Sequence, residues 1–258
     1  MRIDSMPLRD ALALINDENR RALDAVDAVL PQIEEVCLHM EEAIRSGGRI
    51  FYVGAGTSGR LGVMDAAECP PTFGVPRDMF NGIIAGGHAC LVAAAVAQEE
   101  SAESGRRDLT EAGLAAGDVV IGVSASGGAA YVVEALRYAN ELGAYTAAIV
   151  NNPDTPMERT AQTAIVIDSG PEVITGSTRM KAGTTQKIVM NMLSTMTMVR
   201  CGYVYENMMI NLKPTNIKLR ARVIGIVREI LHCDEAEAVD RLEKNEWNIR
   251  RAVETDSL

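Results

Sequence analysis

Five short runs of β-branched and apolar residues, each set off from the next by a longer stretch with helical spacing, constrain the fold more than anything else in the chain. They are Arg49 to Val53, Gly82 to Ala85, Val119 to Ser124, Thr146 to Val150 and Ala164 to Ile167. A strand with one wet face alternates polar and apolar residues, whereas these runs are apolar on both faces and need cover on both. Strands joined through helices pair in parallel, because the helix is the crossover that brings the chain back to the same end of the sheet. The sequence therefore predicts an α/β protein built on a doubly wound parallel sheet. At 258 residues and 47% hydrophobic, the chain can bury one such core and carry a small appended module.

The flanks read as helical. From Leu8 to about Arg45 the residues Leu12, Ile15, Leu23, Val26, Val29, Leu30, Ile33 and Val36 recur mostly three or four positions apart, which predicts two amphipathic helices over residues 1–45, with breaks near Asn16 and Pro31. A long helix is predicted from Lys181 to Arg200, followed by irregular chain through Asn207 to Pro214. This sets residues 46–212 apart as the sheet domain and residues 213–258 as a three-helix module resembling a ubiquitin-associated domain. Its second helix opens at Asp234, with Glu237 three residues on as a capping box.

Charge and composition remove several function classes. The formal net charge of −10 argues against a nucleic-acid surface, which needs clustered Lys and Arg. No apolar run is long enough to span a bilayer, and Met1 to Pro7 lacks the charged start and apolar core of a secretory signal, so a cytoplasmic protein with no membrane partner is expected. Cys37, Cys69, Cys90, Cys201 and Cys233 are odd in number and form no CxxC pair, and His39, His88 and His232 lie far apart; neither a disulfide framework nor a metal site is expected.

The chemistry concentrates where strands run into turns. After the first strand come Gly54, Ala55, Gly56, Thr57, Ser58, Gly59 and Arg60, which satisfies GxGxxG. A dinucleotide fold also needs an acidic residue closing the second strand, yet Asp78 precedes that strand and its end is Ala85-Gly86-Gly87, so a nicotinamide cofactor is disfavoured. Thr57 and Ser58 instead place hydroxyls at a helix N-terminus, where backbone N–H groups favour an anion such as a phosphate monoester. The third strand runs into Ser124-Ala125-Ser126-Gly127-Gly128, which repeats the pattern, and both turns can face one crevice at the carboxyl ends of the strands. A third segment, Glu172 to Thr184, gathers Thr175, Ser177, Thr178, Arg179 and Lys181; Arg179 can fork onto a phosphate or a carboxylate. Glu68 stands just before Cys69-Pro70-Pro71. If the prolines stop the helix there, Glu68 falls in its last turn, a setting that suits a general acid and also suits an exposed, frayed residue. Glu99 and Glu100, at the end of an alanine-rich helix over Leu91 to Gln98, read by themselves as a solvated face.

Three stretches carry a family resemblance. Tyr52 to Gly62 (YVGAGTSGRLG), Asp65 to Gly74 (DAAECPPTFG) and Glu172 to Thr184 (EVITGSTRMKAGT) resemble the signatures of N-acetylmuramic acid 6-phosphate etherases, and the similarity extends over about Asn16 to Ala252. The resemblance implies a sugar isomerase (SIS) type of fold, a homodimer, a phosphorylated amino sugar as ligand and no metal or organic cofactor. It implies two catalytic glutamates, Glu68 and Glu99, beside the ligand crevice read from the turns and the third segment: Gly56, Thr57, Ser58, Ser124, Ser126, Gly127, Glu172, Ser177, Arg179 and Lys181. Its reaction would be cleavage of the D-lactyl ether at C3 of the sugar. The second loop departs from the family, with Gly128-Ala129-Ala130 where Arg-Thr-Pro is usual. A non-catalytic sugar-phosphate sensor and an aldose-ketose isomerase, both known among SIS proteins, stay open as alternatives.

Overall fold

The computed structural model describes residues 2–93, 100–211, 214 and 216–254. The chain divides into two compact units, Met1–Ala67 with Asp78–Thr197 and Glu68–Arg77 with Met198–Leu258.

The first unit holds a five-stranded sheet of β1 (Ile50–Gly54), β2 (Phe80–Ile84), β3 (Val119–Ser124), β4 (Tyr145–Val150) and β5 (Thr163–Val166), in the order β2-β1-β3-β4-β5, with every pairing parallel. The doubly wound sheet expected from the sequence is present, and its strands fall within two residues of the expected runs. One face, carrying Phe51, Val53, Val120, Ala148 and Val150, is buried under α4 (Ala102–Glu111), α5 (Ala130–Leu142) and Met157 of α6 (Pro156–Thr160). The alternate strand residues Tyr52, Ile121 and Ile149 are buried on the opposite face. There α2 (Leu30–Arg45) contacts β1, β3 and β5. The long α7 (Lys181–Arg200) begins at the residue the sequence predicts, and Met40 of α2 accepts a hydrogen bond from its Thr197. Two glycines let α3 (Gly56–Phe73) lie close on this face: a Cβ on Gly62 would come 2.8 Å from Cβ of Tyr52, and one on Gly82 would come 2.4 Å from Cα of Val63.

Two expected helix breaks are absent. α1 (Leu8–Asp27) runs straight through Asn16, whose helix penalty of under about 1 kcal/mol is small beside the burial of Ala22 and Val26 on one face. The break comes at Ala28 and Val29, and Pro31 sits in the first turn of α2, where its missing N–H costs no bond. α3 likewise continues through Pro70 and Pro71 to Phe73. The prolines keep a helical φ and forgo only the N–H bonds to the carbonyls of Ala66 and Ala67, while Cys69 just before them and Phe73 beyond them are buried.

The second unit contains the end of α3, a two-residue hairpin of β6 (Val204–Tyr205) and β7 (Met208–Met209), and the helices α8 (Ile217–Leu231), α9 (Glu235–Lys244) and α10 (Ile249–Glu254). Val223, Ile226, Val227, Ala238, Leu242, Ile249 and Ala252 form its core. Half of the expected capping box forms at α9. Asp234 accepts from the Glu237 N–H at 2.9 Å, but the Glu237 carboxylate turns to Arg241 at 3.1 Å, because an ion pair one turn along draws it there. The reciprocal box is found at α6 instead, between Thr155 and Glu158.

Among the described residues no helix is long and apolar enough to cross a membrane, and no cluster of His, Cys, Asp and Glu has the makings of a metal site.

Candidate functional site

Three segments at the carboxyl ends of the strands carry the residues singled out by the sequence. The first is the turn from β1 into α3. A Cβ on Gly54 would meet the Gly59 nitrogen at 2.7 Å and one on Gly59 would meet the Gly54 oxygen at 2.7 Å, so this tight reversal requires a glycine at both positions. Gly56 sits at φ +53°, and the first turn of α3 carries no acidic residue to neutralise its positive end. Thr57 is half-buried; Ser58 is buried and donates its hydroxyl proton to Oε1 of Gln186 at 2.8 Å.

The second is the turn after β3. Gly127 has φ +65°, and a Cβ there would lie 2.5 Å from Thr155. Ser124 Oγ accepts from the Gly127 N–H at 3.2 Å and Ser126 Oγ from the Gly128 N–H at 3.3 Å, with the two hydroxyls 3.4 Å apart. Since both oxygens accept from the backbone and only one can donate to the other, at least one hydroxyl proton stays available to an outside acceptor. Ser126 is exposed and Ser124 is buried.

The third is the segment from β5 into α7. Glu172 accepts from the backbone N–H groups of Lys181 and Ala182 at 3.1 and 3.0 Å, so its carboxylate occupies the positive end of α7. Ser177 is half-buried and Arg179 exposed. Lys181 turns inward: it is 2% exposed and its ammonium lies 2.7 Å from Glu18 of α1. Its hydrogen bond to Glu18, followed by the charges of Lys181 and Arg21, holds the Glu18 carboxyl below the usual carboxylate range against the opposing effect of burial.

These segments converge. A cleft of about 400 Å³ is lined by Ala125 of the second turn, by Asn151 and Asn152 after β4, and by Asp168, Glu172 and Thr178 of the third segment. The first turn joins through the Ser58–Gln186 bond and through Thr57, whose methyl would stand 3.3 Å from a Cβ on Gly183 of α7. Glu68 stands exposed on α3, five residues short of the helix end. Glu68 is therefore not in the last turn of α3, because the prolines do not end the helix. Glu99 and the alanine-rich stretch before it lie outside the described residues, apart from its first residues, whose Leu91 and Ala93 carbonyls accept from Arg60 at 2.9 and 3.2 Å.

Sequence reasoning missed Asn151, Thr185 and Gln186, all buried, with Asn151 hydrogen-bonded to each of the other two, and it missed Glu18. The one local signal was the Asn151-Asn152 pair at the end of a strand, where amides line a ligand crevice as readily as they form a turn.

Comparison with known proteins agrees with this architecture. Residues 96–196 match the SIS domain, and residues 31–140 match the glucokinase regulatory protein N-terminal SIS domain. Among solved structures, the chain is similar to the phosphoheptose isomerase of Neisseria gonorrhoeae, with a TM-score of 0.59 at 17% identity over 74% of this chain and 98% of that one. It is also similar to a Vibrio vulnificus protein complexed with ManNAc-6P, with a TM-score of 0.50 at 15% identity over 76% of this chain and 67% of that one. These likenesses show the fold. The N-acetylmuramic acid 6-phosphate etherase of Yersinia pestis (strain Pestoides F) is 49% identical over 253 residues, covering 98% of this chain and 86% of the relative. Identity of that extent over nearly the whole chain shows that the chain belongs to the N-acetylmuramic acid 6-phosphate etherase family.

Proposed function

We propose that the chain is a carbon-oxygen lyase that cleaves N-acetylmuramic acid 6-phosphate to N-acetylglucosamine 6-phosphate and D-lactate. The observation that carries this reading is the near full-length identity to etherases. The convergence of the three hydroxyl-rich segments on one end of the sheet supports a phosphorylated sugar as ligand.

An alkyl ether is a poor leaving group, so displacement at C3 is slow. In the open-chain aldehyde the C2 proton is acidic. One glutamate takes that proton, the C2–H electrons become a C2=C3 double bond, the C3–O bond breaks, and the lactyl oxygen takes a proton from the second glutamate. Water then adds its oxygen to C3 and a proton returns to C2, which restores the amino sugar. Two carboxyls with opposite protonation states serve this sequence, and Glu68 with Glu99 is the proposed pair, Glu68 as the proton donor. Gly56, Thr57 and Ser58 with Ser124, Ser126 and Gly127 are proposed to hold the phosphate. Glu172, Ser177, Arg179 and Lys181 shape the remaining wall, with Glu172 acting through the α7 N-terminus and Lys181 through Glu18.

The proposal extends to a cytoplasmic homodimer acting in amino-sugar catabolism and peptidoglycan recycling, with residues 213–258 as a packing or dimerisation module. The test is release of D-lactate from the substrate by the purified chain. Binding without release would favour a sugar-phosphate sensor, the reading to which the loss of a guanidinium at Gly128 points.

A further inference from the structure

Four buried polar side chains, none of them assigned a role above, lie behind the candidate crevice as one connected set. Gln186 is 1% exposed, Asn151 7%, Thr185 0% and Ser169 5%. Ser58 donates to Gln186 Oε1 at 2.8 Å; the Gln186 amide donates to Asn151 Oδ1 at 2.9 Å; the Asn151 amide in turn reaches Thr185 Oγ1 at 2.9 Å, and Ser169 Oγ and the Ile167 carbonyl at 3.3 Å each. Thr185 passes its own proton to the Ala182 carbonyl at 3.0 Å. The set therefore starts in the turn that opens α3, crosses α7 and ends on the segments that follow β4 and β5.

A buried primary amide is costly unless both its ends are satisfied. Gln186 meets that condition only while Ser58 stands on one side of it and Asn151 on the other. It has no alternative partner among the described residues, so it fixes the distance between two walls that are otherwise separate loops.

We propose that Gln186 is a positioning residue for the anion-binding turn. Held by Asn151, it fixes Ser58 and so keeps the backbone N–H groups and the Thr57 hydroxyl of that turn in the arrangement that receives the phosphate. Ser58 in this arrangement spends its single proton on Gln186 and meets the ligand through the turn it anchors rather than as a donor. The inference rests on the proposed function for the identity of the sugar, and on the turn alone for the phosphate.

Titration calorimetry with N-acetylglucosamine 6-phosphate, and separately with inorganic phosphate, tests it on the wild type, Ser58→Ala, Gln186→Met and the double variant. Gln186→Met is expected to weaken both ligands about tenfold, and the double variant to be no weaker than the weaker single one, because the two side chains act as one unit. Gln186→Glu serves as a second variant of nearly unchanged shape. It keeps an acceptor for Ser58 and loses the donor to Asn151, so its affinity relative to wild type at the same pH should recover as the pH falls and the buried carboxyl regains a proton. Unchanged affinity with only a lowered Tm, multiplicative losses in the double variant, or tighter binding that exposed Gln186 as a competitor for the Ser58 proton would each overturn the inference. A wild type that binds inorganic phosphate but not the sugar phosphate would defeat the proposed substrate and leave this inference readable on phosphate. Binding of neither probe would overturn both.

Discussion

The ammonium of Lys181, 2% exposed, lies 2.7 Å from a carboxylate oxygen of Glu18, a residue 163 positions earlier in the chain. The pair ties α1 to the start of α7, immediately beneath the turn at Gly170, where an added Cβ would come 3.5 Å from that same ammonium. Because Lys181 holds the Glu18 carboxyl below its ordinary range, the folded pKa is lower than the unfolded one. The associated stability is present above the unfolded value, roughly 4.3, and is lost as the pH falls through the folded value. Glu18→Gln is therefore expected to lower the Tm at pH 7, and the gap to wild type should close as the pH is taken below 4. A gap that stayed constant down to acid pH would show that the charge on Glu18 is not what matters.

The strand-to-helix reversal at Gly54 and Gly59 makes a second prediction. An alanine at position 59 would place its methyl 2.7 Å from both the Gly54 oxygen and Cγ1 of Ile84. Neither the backbone of β1 nor the side chain of β2 can withdraw without disturbing the sheet, so Gly59→Ala should cost about 1–3 kcal/mol in urea unfolding. Wild-type stability would mean that the turn is looser than these distances imply.

How much of this was legible in the sequence depends on the range of the interaction that decides each feature. β3 and α7 begin and end where they were expected, since a run apolar on both faces bounded by Gly and Ser, or twenty residues without a proline whose one glycine, Gly183, falls in the first turn, settles the element locally. The path of α3 through Pro70 and Pro71 was not legible, because what favours it is burial of Phe73 and Cys69 rather than anything in the dipeptide. The turns bearing Ser58 and Ser126 showed themselves through their glycines. Their supports did not: Gln186 follows Asn151 by 35 residues and Ser58 by 128, and only the crossovers of the parallel sheet bring the three together. The Glu18–Lys181 pair has the same character.

In the second turn, Ser126 Oγ accepts from Gly128 and is exposed, and its proton is free for a ligand when Ser124 is the donor between the two hydroxyls. Ser126→Ala should weaken the sugar phosphate by roughly 1.5–3 kcal/mol, about ten- to hundredfold, with little change in Tm. Calorimetry showing unchanged affinity would take the phosphate out of this turn.

Glu68 is exposed on α3 and its replacement by glutamine preserves shape while removing the proton it can give. Turnover in Glu68→Gln should fall by about 10²–10⁴-fold, the usual contribution of a general acid or base, while the affinity for N-acetylglucosamine 6-phosphate stays near wild type. Full activity would remove Glu68 from the chemistry.

The central claim, lyase chemistry by elimination and hydration, is tested most directly by incubating the protein with N-acetylmuramic acid 6-phosphate in D₂O and following lactate and the sugar C2 position by NMR. The account predicts that D-lactate is released with its ether oxygen retained, and that the amino-sugar product carries deuterium at C2. Lactate released with the C2 proton intact would contradict the mechanism, and bound substrate with no lactate released would contradict the function.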